Sequence, residues 1–324
     1  MKPLLLSLVV PVYFEEDCID AFIGEVRSVL DTLALQYEIV FVDDGSTDRT
    51  CELIRAQAAD DSRIKLVEFS YNQGKQAAVT AGIRYASGDL LLYMDPDLQD
   101  PPYEIPRFLA EMEKGYDLVF GVRNEKKDSR TNKLLSSAFW TILNRFTGLR
   151  IPPGLAVMRM FNRRFADRFL EYGEKNRFIE GIFMLVGLRR TSIEIDQRER
   201  FAGTSKFNFR RKVNLALDAI LDFSELPLKL AMRIGLLLSL VGFAAIVLIV
   251  ALKLTLVSFQ AGWASVLSLL LTGFGVQLVF MGIIGMYIGR IYKESKGRPL
   301  YSIRAFTNLA TDADDRPLPR QGRD

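Results

Sequence analysis

The stretch 89-DLLLYMDPDLQDPP-102 decides the fold, because a short apolar run stops abruptly in a cluster of acids and prolines. Leu90–Met94 has the length and composition of a buried strand. Asp95, Asp97 and Asp100 follow it, and since Asp and Pro are ordinary turn residues, the cluster could simply end a strand. Two carboxylates one residue apart at the carboxyl end of a strand can also bind a hard metal ion. The rest of the chain has to discriminate between these two interpretations.

On either side of this stretch, residues 1–125 alternate apolar runs with helical patterns. The predicted strands are 5–13, 37–46, 64–70, 89–95 and 117–123, and the predicted helices are 19–33, 47–59 and 75–86. This alternation predicts an α/β fold with a Rossmann-like, mostly parallel sheet covered by helices on both faces. Ligands of such sheets bind at the carboxyl ends of the strands. The polar residues expected at that edge are Tyr13, Glu15, Asp43, Asp44, Asp95 and Asp97.

The composition excludes several classes of enzyme. The 324-residue chain contains no histidine, so a Ser-His-Asp triad, a Cys-His pair and an HExxH zinc site are ruled out. Any metal would have oxygen ligands, which favours Mg²⁺ or Mn²⁺ over zinc. Cys18 and Cys51 are too few for a disulfide framework and fit a reducing compartment. The net charge of +3 gives no global basic character, and no nucleic-acid partner is expected.

Two long apolar runs, Ile234–Leu252 and Trp263–Gly289, occupy the last third of the chain. Each is long enough to cross a bilayer, and a pair of buried core helices is disfavoured because a chain of this size can hardly bury both. Basic residues flank the pair on its two outer sides, whereas only Lys253 lies between the runs. The positive-inside rule therefore predicts a plasma-membrane protein with its N-terminal domain and tail in the cytoplasm. Small residues in 282-GIIGMYIG-289 favour a homo-oligomer, although Gly is common in membrane helices anyway.

The segment 207–232 places apolar residues among charges at roughly helical spacing. It predicts one or two amphipathic helices lying on the membrane and broken near Pro227, and a surface helix packed on the first domain remains an alternative. The predicted organisation is an α/β catalytic domain over 1–206, these interfacial helices, two membrane helices over 233–291, and a partly disordered cytoplasmic tail over 292–324.

Four segments carry a more specific pattern: 9-VVPVYFEE-16, 40-VFVDDGSTDRT-50, 72-NQGKQAA-78 and 94-MDPDLQDPP-102. In this order and spacing they resemble the GT-A domain of family 2 glycosyltransferases. The resemblance continues in 198-RERFAGTSKFNFRRKVNLALD-218 and in the two apolar runs, so it covers nearly the whole chain. The chain is similar to the dolichyl-phosphate mannose synthase-like branch, and in particular to bacterial polyprenyl-phosphate (bactoprenol) glucosyltransferases.

The resemblance implies a role for each matched position. The nucleotide pocket would be lined by Pro11, Tyr13, Glu15, Asp43, Asp44, Lys75 and Asp95. Asp95 and Asp97 match the DxD motif, whose Mg²⁺ or Mn²⁺ bridges the donor diphosphate. The residues serving the chemistry would be Asp97, Arg159, Arg200 and Lys206, and those holding an acceptor phosphate would be Arg123, Arg200, Ser205 and Lys206. For the basic segment 200–206 a solvated surface remains the alternative.

One segment departs from the family pattern. Where relatives read approximately D-x-G-D-F-R, this chain has 152-PPGLAVMRMFNRR-164, so Val157 replaces an Asp that is a candidate catalytic base, while Arg159 matches the Arg. The implied acceptor is a phosphate monoester with a second pKa of about 6, which is already ionised and needs no general base. Glu180 is an alternative carboxylate, although a structural role is favoured for it.

The implied function is that of a membrane-bound inverting glycosyltransferase that moves glucose from UDP-glucose to polyprenyl phosphate at the cytoplasmic face. The alternatives are GDP-mannose or another UDP-sugar as donor, or a catalytically degenerate membrane scaffold that binds nucleotide sugar. A processive polysaccharide synthase is disfavoured by the presence of only two apolar runs and by the lack of a Q-x-x-R-W segment. Asp100 and the prolines after it are expected to shape the loop, so Asp100→Asn should cost much less activity than Asp97→Asn.

Overall fold

The structure is a computed structural model that describes residues 4–123, 141, 144–149, 151–175, 177–198, 224–255 and 262–309. The chain divides into two units, one within Met1–Arg211 and Arg298–Asp324 and the other within Lys212–Gly297. Three predicted site residues, Arg200, Ser205 and Lys206, lie outside the described residues, as do 207–223 of the predicted interfacial helices.

Strands and helices alternate along the first unit, as the sequence predicts. The strands are β1 (Leu5–Val12), β2 (Gln36–Asp43), β3 (Ile64–Phe69), β4 (Leu90–Tyr93), β5 (Leu118–Arg123), β6 (Leu155–Asn162), β7 (Arg190–Ile195) and β8 (Ile303–Thr307). The helices are α1 (Ile19–Leu30), α2 (Thr50–Asp60), α3 (Lys75–Tyr85), α4 (Ile105–Glu113), α5 (Arg163–Glu171) and α6 (Ile179–Leu185). The five predicted strands and three predicted helices are confirmed, and β6, β7 and β8 are additions to them.

The described strands form one mixed sheet in the order β7-β5-β6-β4-β1-β2-β3-β8. Its centre, β4-β1-β2-β3, is parallel, as predicted. Strand β6 runs antiparallel to both β4 and β5, and β8 runs antiparallel to β3. The α/β class is therefore confirmed, with a parallel centre and antiparallel additions on both sides.

The central strands are apolar on both faces because helices cover both faces. On one side, Leu8 of β1 belongs to a core cluster with Phe22 of α1. On the other, Val42 of β2 belongs to a cluster with Ala78 of α3. All four side chains are fully buried, which explains why these strands are mostly apolar rather than alternating between apolar and polar residues.

The register of the central strands aligns their carboxyl ends. Val12, the last residue of β1, pairs with Asp43, the last residue of β2. Val9 of β1 pairs with Tyr93, the last residue of β4. The loops that follow β1, β2 and β4 therefore leave the sheet at one edge, where sequence analysis places the site.

Strand β8, which follows the second apolar helix in the chain, extends the sheet beside β3. The rings of Tyr301 and Phe69 stack with centroids 5.2 Å apart, and the Arg304 guanidinium donates to the Glu68 carboxylate over 2.6 Å. Within the predicted tail 292–324, residues 303–307 add this strand to the first unit, and residues 310–324 lie outside the described residues.

The described residues of the second unit form two helices, α7 (Leu226–Thr255) and α8 (Trp263–Ser295). Both are long and apolar enough to cross a membrane, with mean hydropathies of 2.9 and 2.1 over the most apolar 18-residue windows of Leu226–Leu252 and Val266–Ser295. Helix α7 already includes Pro227, which sits in its first turn, where the missing N–H of proline has no helical partner to lose. The described part of the predicted interfacial segment thus continues into the first candidate span without a break.

Glu68 is expected to make an acid-sensitive contribution to stability. Its fully buried carboxylate accepts hydrogen bonds from Arg55, at 2.6 to 2.9 Å, and from Arg304. Burial alone would raise the pKa of Glu68, but the hydrogen bonds from the two guanidinium groups outweigh it and lower the pKa below its usual value. A carboxyl whose folded-state pKa is depressed stabilises the fold above its unfolded-state pKa, and this stabilisation is lost as the pH falls through the folded-state pKa.

Glu68→Gln should therefore lower the free energy of unfolding by about 1–3 kcal/mol at neutral pH. The difference from the wild type should narrow below about pH 4. Thermal unfolding of both proteins across this pH range measures the effect, and Glu52→Gln, at an exposed carboxylate on α2, is the control. A difference that did not change with pH would contradict the assignment.

Candidate active site

Asp43 ends β2 and is held on one side only. Its Oδ2 accepts hydrogen bonds from the backbone N–H groups of Gly45, at 3.1 Å, and Ser46, at 3.0 Å, which is the geometry of an Asx turn. Its Oδ1 is buried and has no hydrogen-bond partner among the described residues. The turn interpretation therefore accounts for one oxygen of Asp43, and the second oxygen is an acceptor that a ligand donor can use.

Asp44 links the loop after β2 to the loop before α3. Its carboxylate accepts the backbone N–H of Gln73 at 2.6 Å and that of Gly74 at 3.0 and 3.1 Å. Burial raises the pKa of Asp44 and the adjacent Asp43 carboxylate adds to this, although the two amide hydrogen bonds oppose the shift. A buried carboxylate fixed by backbone donors gives this corner of the site a rigid acceptor.

The loop after β1 is fastened to the loop after β2. The Phe14 N–H donates to Ser46 Oγ and the Glu15 N–H donates to Thr50 Oγ1, each over 3.0 Å. Phe14 has a φ of 54°, a strained value for a bulky residue, and its ring lies 4.2 Å from that of Tyr13. These contacts hold Tyr13 and Glu15 beside the acids of β2.

Asp95 and Lys75 form an ion pair at the end of β4. The Lys75 Nζ donates to Asp95 Oδ2 over 2.6 Å and lies 5.9 Å from the ring centre of Tyr93. Asp95 Oδ1 is buried and has no hydrogen-bond partner among the residues the structure describes. One oxygen of the first DxD acid is therefore anchored, and the other can serve a cation.

Asp97 lies close to the loop after β1. It is 6% exposed, and its Oδ1 accepts the backbone N–H of Gln99 at 3.2 Å. Burial raises the pKa of the nearby Cys18 thiol to about 11, and the charges of Glu15 and Asp97 both add to this rise. The two carboxylates therefore act on the same thiol from different loops, and Cys18 has no thiolate character for nucleophilic chemistry.

Asp95 and Asp97 fit a divalent cation that has further ligands from a substrate. Mg²⁺ commonly takes one or two protein carboxylates and completes its shell with phosphate oxygens and water. The described residues contain no group of three or more His, Cys, Asp or Glu side chains that could hold a metal. The orphaned Asp95 Oδ1 and the hard oxygen donors thus agree with a site that is completed by a phosphate ligand.

Asp100 is an internal anchor. Its Oδ1 accepts from Arg123, at 3.1 Å from Nη2 and 3.3 Å from Nε, and its Oδ2 accepts the Met158 N–H at 2.9 Å. At 5% exposure it ties the loop after β4 to β5 and β6. These contacts agree with the loop-shaping role expected of Asp100, and they pair the charge of Arg123, which sequence analysis places at the acceptor phosphate.

Arg159 lies inside β6, opposite Tyr93 of β4, and is only 2% exposed. Its Nε donates to the carbonyl of Val157 over 3.0 Å and its Nη2 to the carbonyl of Ala156 over 3.3 Å. The Glu180 carboxylate is 3.9 Å from Nη2. Arg159, which sequence analysis counts among the residues serving the chemistry, is thus a buried guanidinium.

The structure brings most of the predicted nucleotide and metal residues to one edge of the sheet. The residues that it places there are Tyr13, Glu15, Asp43, Asp44, Lys75, Asp95 and Asp97, with Pro11 one strand position before the end of β1. Sequence analysis does not identify Tyr93 or the backbone amides of Gln73 and Gly74 as part of the site. Tyr93 lies within the predicted strand 89–95 like any other strand residue, and backbone donors leave no signal in the residue types.

The protein-family model described as "Glycosyl transferase family 2" matches residues 7–170. A curated relative, "Uncharacterized glycosyltransferase YkcC" of Bacillus subtilis, is 38% identical over 299 residues, which are 92% of this chain and 93% of the relative. Another, "Uncharacterized glycosyltransferase sll0501" of Synechocystis sp., is 36% identical over 299 residues, covering 92% and 94% of the two chains. Among solved structures, glucosyl-3-phosphoglycerate synthase from Mycobacterium tuberculosis, in complex with Mn²⁺, UDP and glucosyl-3-phosphoglycerate, shares the fold at a TM-score of 0.50 and 19% identity, over 67% of this chain and 78% of that one.

Proposed function

The chain belongs to glycosyltransferase family 2, and from that premise we propose that it is a membrane-bound inverting enzyme that moves glucose from UDP-glucose to polyprenyl phosphate. One observation carries the proposal: the acids of β2 and the Lys75–Asp95 pair meet at one edge of the sheet. The chain also has two candidate membrane spans. The first feature suits a nucleotide sugar, and the second suits an acceptor that resides in a membrane.

The donor nucleotide would be held by the acceptor atoms after β2. Uracil and ribose present N–H and O–H donors, and ionised carboxylates are pure acceptors. Asp43 Oδ1 is an unused buried acceptor, and Asp44 is fixed beside it by the amides of Gln73 and Gly74. We assign the nucleoside to these two acids, with Tyr13, Glu15 and Pro11 lining the pocket.

The diphosphate would lie at the end of β4. Asp95 and Asp97 would hold Mg²⁺ or Mn²⁺, which when bound supplies positive charge against the negative charge of the departing nucleoside diphosphate. The Lys75 ammonium lies 2.6 Å from Asp95 Oδ2 and is half-exposed, so it can donate to a diphosphate oxygen at the same place. The chain itself thus contributes a preorganised cation to leaving-group stabilisation.

The acceptor chemistry fits the presence of Val157. A phosphate monoester with a second pKa of about 6 is largely a dianion in the cytoplasm. One of its oxygens forms a bond to the anomeric carbon from the face opposite UDP, and the bond from that carbon to the UDP oxygen breaks, so no proton has to be removed. Charge compensation and positioning are what this reaction needs, and we assign them to Arg123, Arg159 and the basic segment 200–206.

The membrane arrangement is part of the proposal. The distribution of basic residues around the two candidate spans favours a cytoplasmic catalytic unit and tail at the plasma membrane. Interfacial helices that precede α7 within the predicted segment 207–232 would lie on the membrane surface, and the glycines of 282–289 favour a homo-oligomer.

A transfer assay tests the function. The full chain, purified in detergent with Mn²⁺, is given labelled UDP-glucose, another UDP-hexose or GDP-mannose, with either polyprenyl phosphate or the matching polyprenol. We expect glucose transfer to the phosphate and none to the alcohol, because only the phosphate is already ionised. Transfer from GDP-mannose or from another UDP-sugar instead would support the alternative donors. A failure to transfer any of these sugars would refute the enzyme assignment and favour the degenerate scaffold.

Val157→Asp separates the enzyme from the scaffold. We expect the wild type to transfer sugar and the variant to transfer it no faster, because an added carboxylate has no acceptor proton to take and repels the phosphate. The same transfer assay measures this. An inactive wild type whose transfer is restored by Val157→Asp would instead establish the scaffold.

A further inference from the structure

Arg159 is a buried cation with an unused donor. Its Nη1 has no hydrogen-bond partner in the part of the chain that the structure describes, although the residue is only 2% exposed to solvent. Its guanidinium carbon lies 4.9 Å from the ring centre of Phe183 and 5.3 Å from that of Tyr93. Aromatic faces stabilise a guanidinium in part, but they do not satisfy an N–H group.

Glu180 is the counter-charge of Arg159 among the described residues. Its carboxylate, in the first turn of α6, lies 3.9 Å from Arg159 Nη2, which is within ion-pair range and beyond hydrogen-bond range. The Glu180 side chain is 28% exposed, so it can move away without being extracted from a core. Glu180 therefore compensates the buried charge without occupying the donors of the guanidinium.

This pair borders the site described above. The Ile179 N–H donates to Gln76 Oε1 over 3.3 Å, so the start of α6 is fastened beside Lys75. The Tyr93 ring centre is 5.9 Å from the Lys75 ammonium and 5.3 Å from the guanidinium carbon of Arg159. Both cations therefore lie against the last residue of β4, beside the place where an anion would bind.

We infer that Glu180 is a displaceable counter-ion, and that a phosphate oxygen of a substrate replaces it at the Arg159 guanidinium. The chemistry favours this exchange, because a phosphate bound directly to a guanidinium makes charge-assisted hydrogen bonds that a carboxylate 3.9 Å away does not. Glu180 is then a positioning residue that acts through Arg159 and lowers the affinity of the site for phosphate. The inference rests on the proposed function in one respect, namely the identity of the phosphate, which is either the diphosphate of the donor or the monoester of the acceptor.

Glu180→Gln tests the exchange, because it removes the charge and keeps the shape. Calorimetry on the full chain in detergent measures binding of UDP with Mg²⁺ in one arm and of a short, water-soluble prenyl phosphate in the other. We expect binding about three- to fivefold tighter in at least one arm, since the competing carboxylate is gone. Tightening in the UDP arm alone places the donor diphosphate at Arg159, and tightening in the prenyl phosphate arm alone places the acceptor there.

The matched control is Glu171→Gln, which removes an exposed carboxylate at the end of α5. If both variants bound the phosphate ligands more tightly by the same factor, the effect would come from long-range charge alone, and the inference would be overturned. Unchanged or weaker binding by Glu180→Gln, with a lower melting temperature, would show a purely structural residue and overturn it too. Both arms measure binding, so the result stands whether or not the transfer assay finds activity.

Discussion

Asp97→Asn is expected to lower the rate of sugar transfer by roughly 10²–10³-fold, the range seen when one preorganised group that stabilises transition-state charge is removed. Asn keeps an oxygen for the Gln99 N–H, which Asp97 Oδ1 now accepts at 3.2 Å, so the loop should keep its shape. The amide is neutral and is a much poorer ligand for a hard divalent cation. The melting temperature should therefore stay close to that of the wild type while the concentration of Mn²⁺ required for transfer rises.

Asp100→Asn is the matched control for this prediction, because the same change is made three positions along the same loop. Asp100 accepts from Arg123 and from the Met158 N–H, and an amide cannot serve both partners. We expect the free energy of unfolding to fall by about 1–3 kcal/mol, with much of the transfer activity kept at temperatures where the variant is folded. Transfer and metal dependence of Asp97→Asn close to wild type would show that Asp97 is not part of the metal site.

The centre of the fold could be predicted because its information is local. Most residues of β1 to β4 are apolar and buried, and the strands alternate with helices along the chain, so length and composition were enough. Strand β8 could not be found in this way. It is short and only partly buried, and its ion pair joins residues 236 positions apart in the chain, Glu68 and Arg304.

The candidate site shows the same difference between features that local sequence predicts and features that depend on long-range contacts. Strand-end acids were predictable, because the carboxyl ends of parallel strands meet at one edge whatever the side-chain details. The difference between Asp95 and Asp100 became concrete only in three dimensions, since Asp95 pairs with Lys75 whereas Asp100 faces β5 and β6. The residue types in a loop show which groups can ionise. Long-range contacts determine which of these groups are engaged as structural anchors and which can bind a ligand.

Gly45→Ala is expected to disable the nucleotide corner of the site and to destabilise the fold. Gly45 has a φ of +79°, a conformation that side-chain-bearing residues rarely adopt. A Cβ there would lie 2.6 Å from the carbonyl carbon of Tyr71 and 2.7 Å from the amide nitrogen of Asn72, and both are backbone atoms. Relief of the clash has to move one loop away from the other, which separates Asp44 from the amides of Gln73 and Gly74.

The expected cost is about 2–4 kcal/mol in unfolding free energy, from backbone strain together with overpacking. UDP affinity in the presence of Mg²⁺ should fall by roughly 100-fold. Loss of the amide contacts leaves the Asp44 carboxylate unpositioned, which we expect to cost about 3 kcal/mol of UDP binding free energy. Gly24→Ala is the control, since Gly24 is an exposed position in α1 with no atom within 4 Å of an added Cβ. That change should be neutral or slightly stabilising, as Ala favours a helix over Gly by about 1 kcal/mol. Melting curves and UDP calorimetry on both variants measure these effects. If Gly45→Ala bound UDP as tightly as Gly24→Ala, the two loops would not form the nucleoside pocket, and the assignment of Asp43 and Asp44 would fail with them.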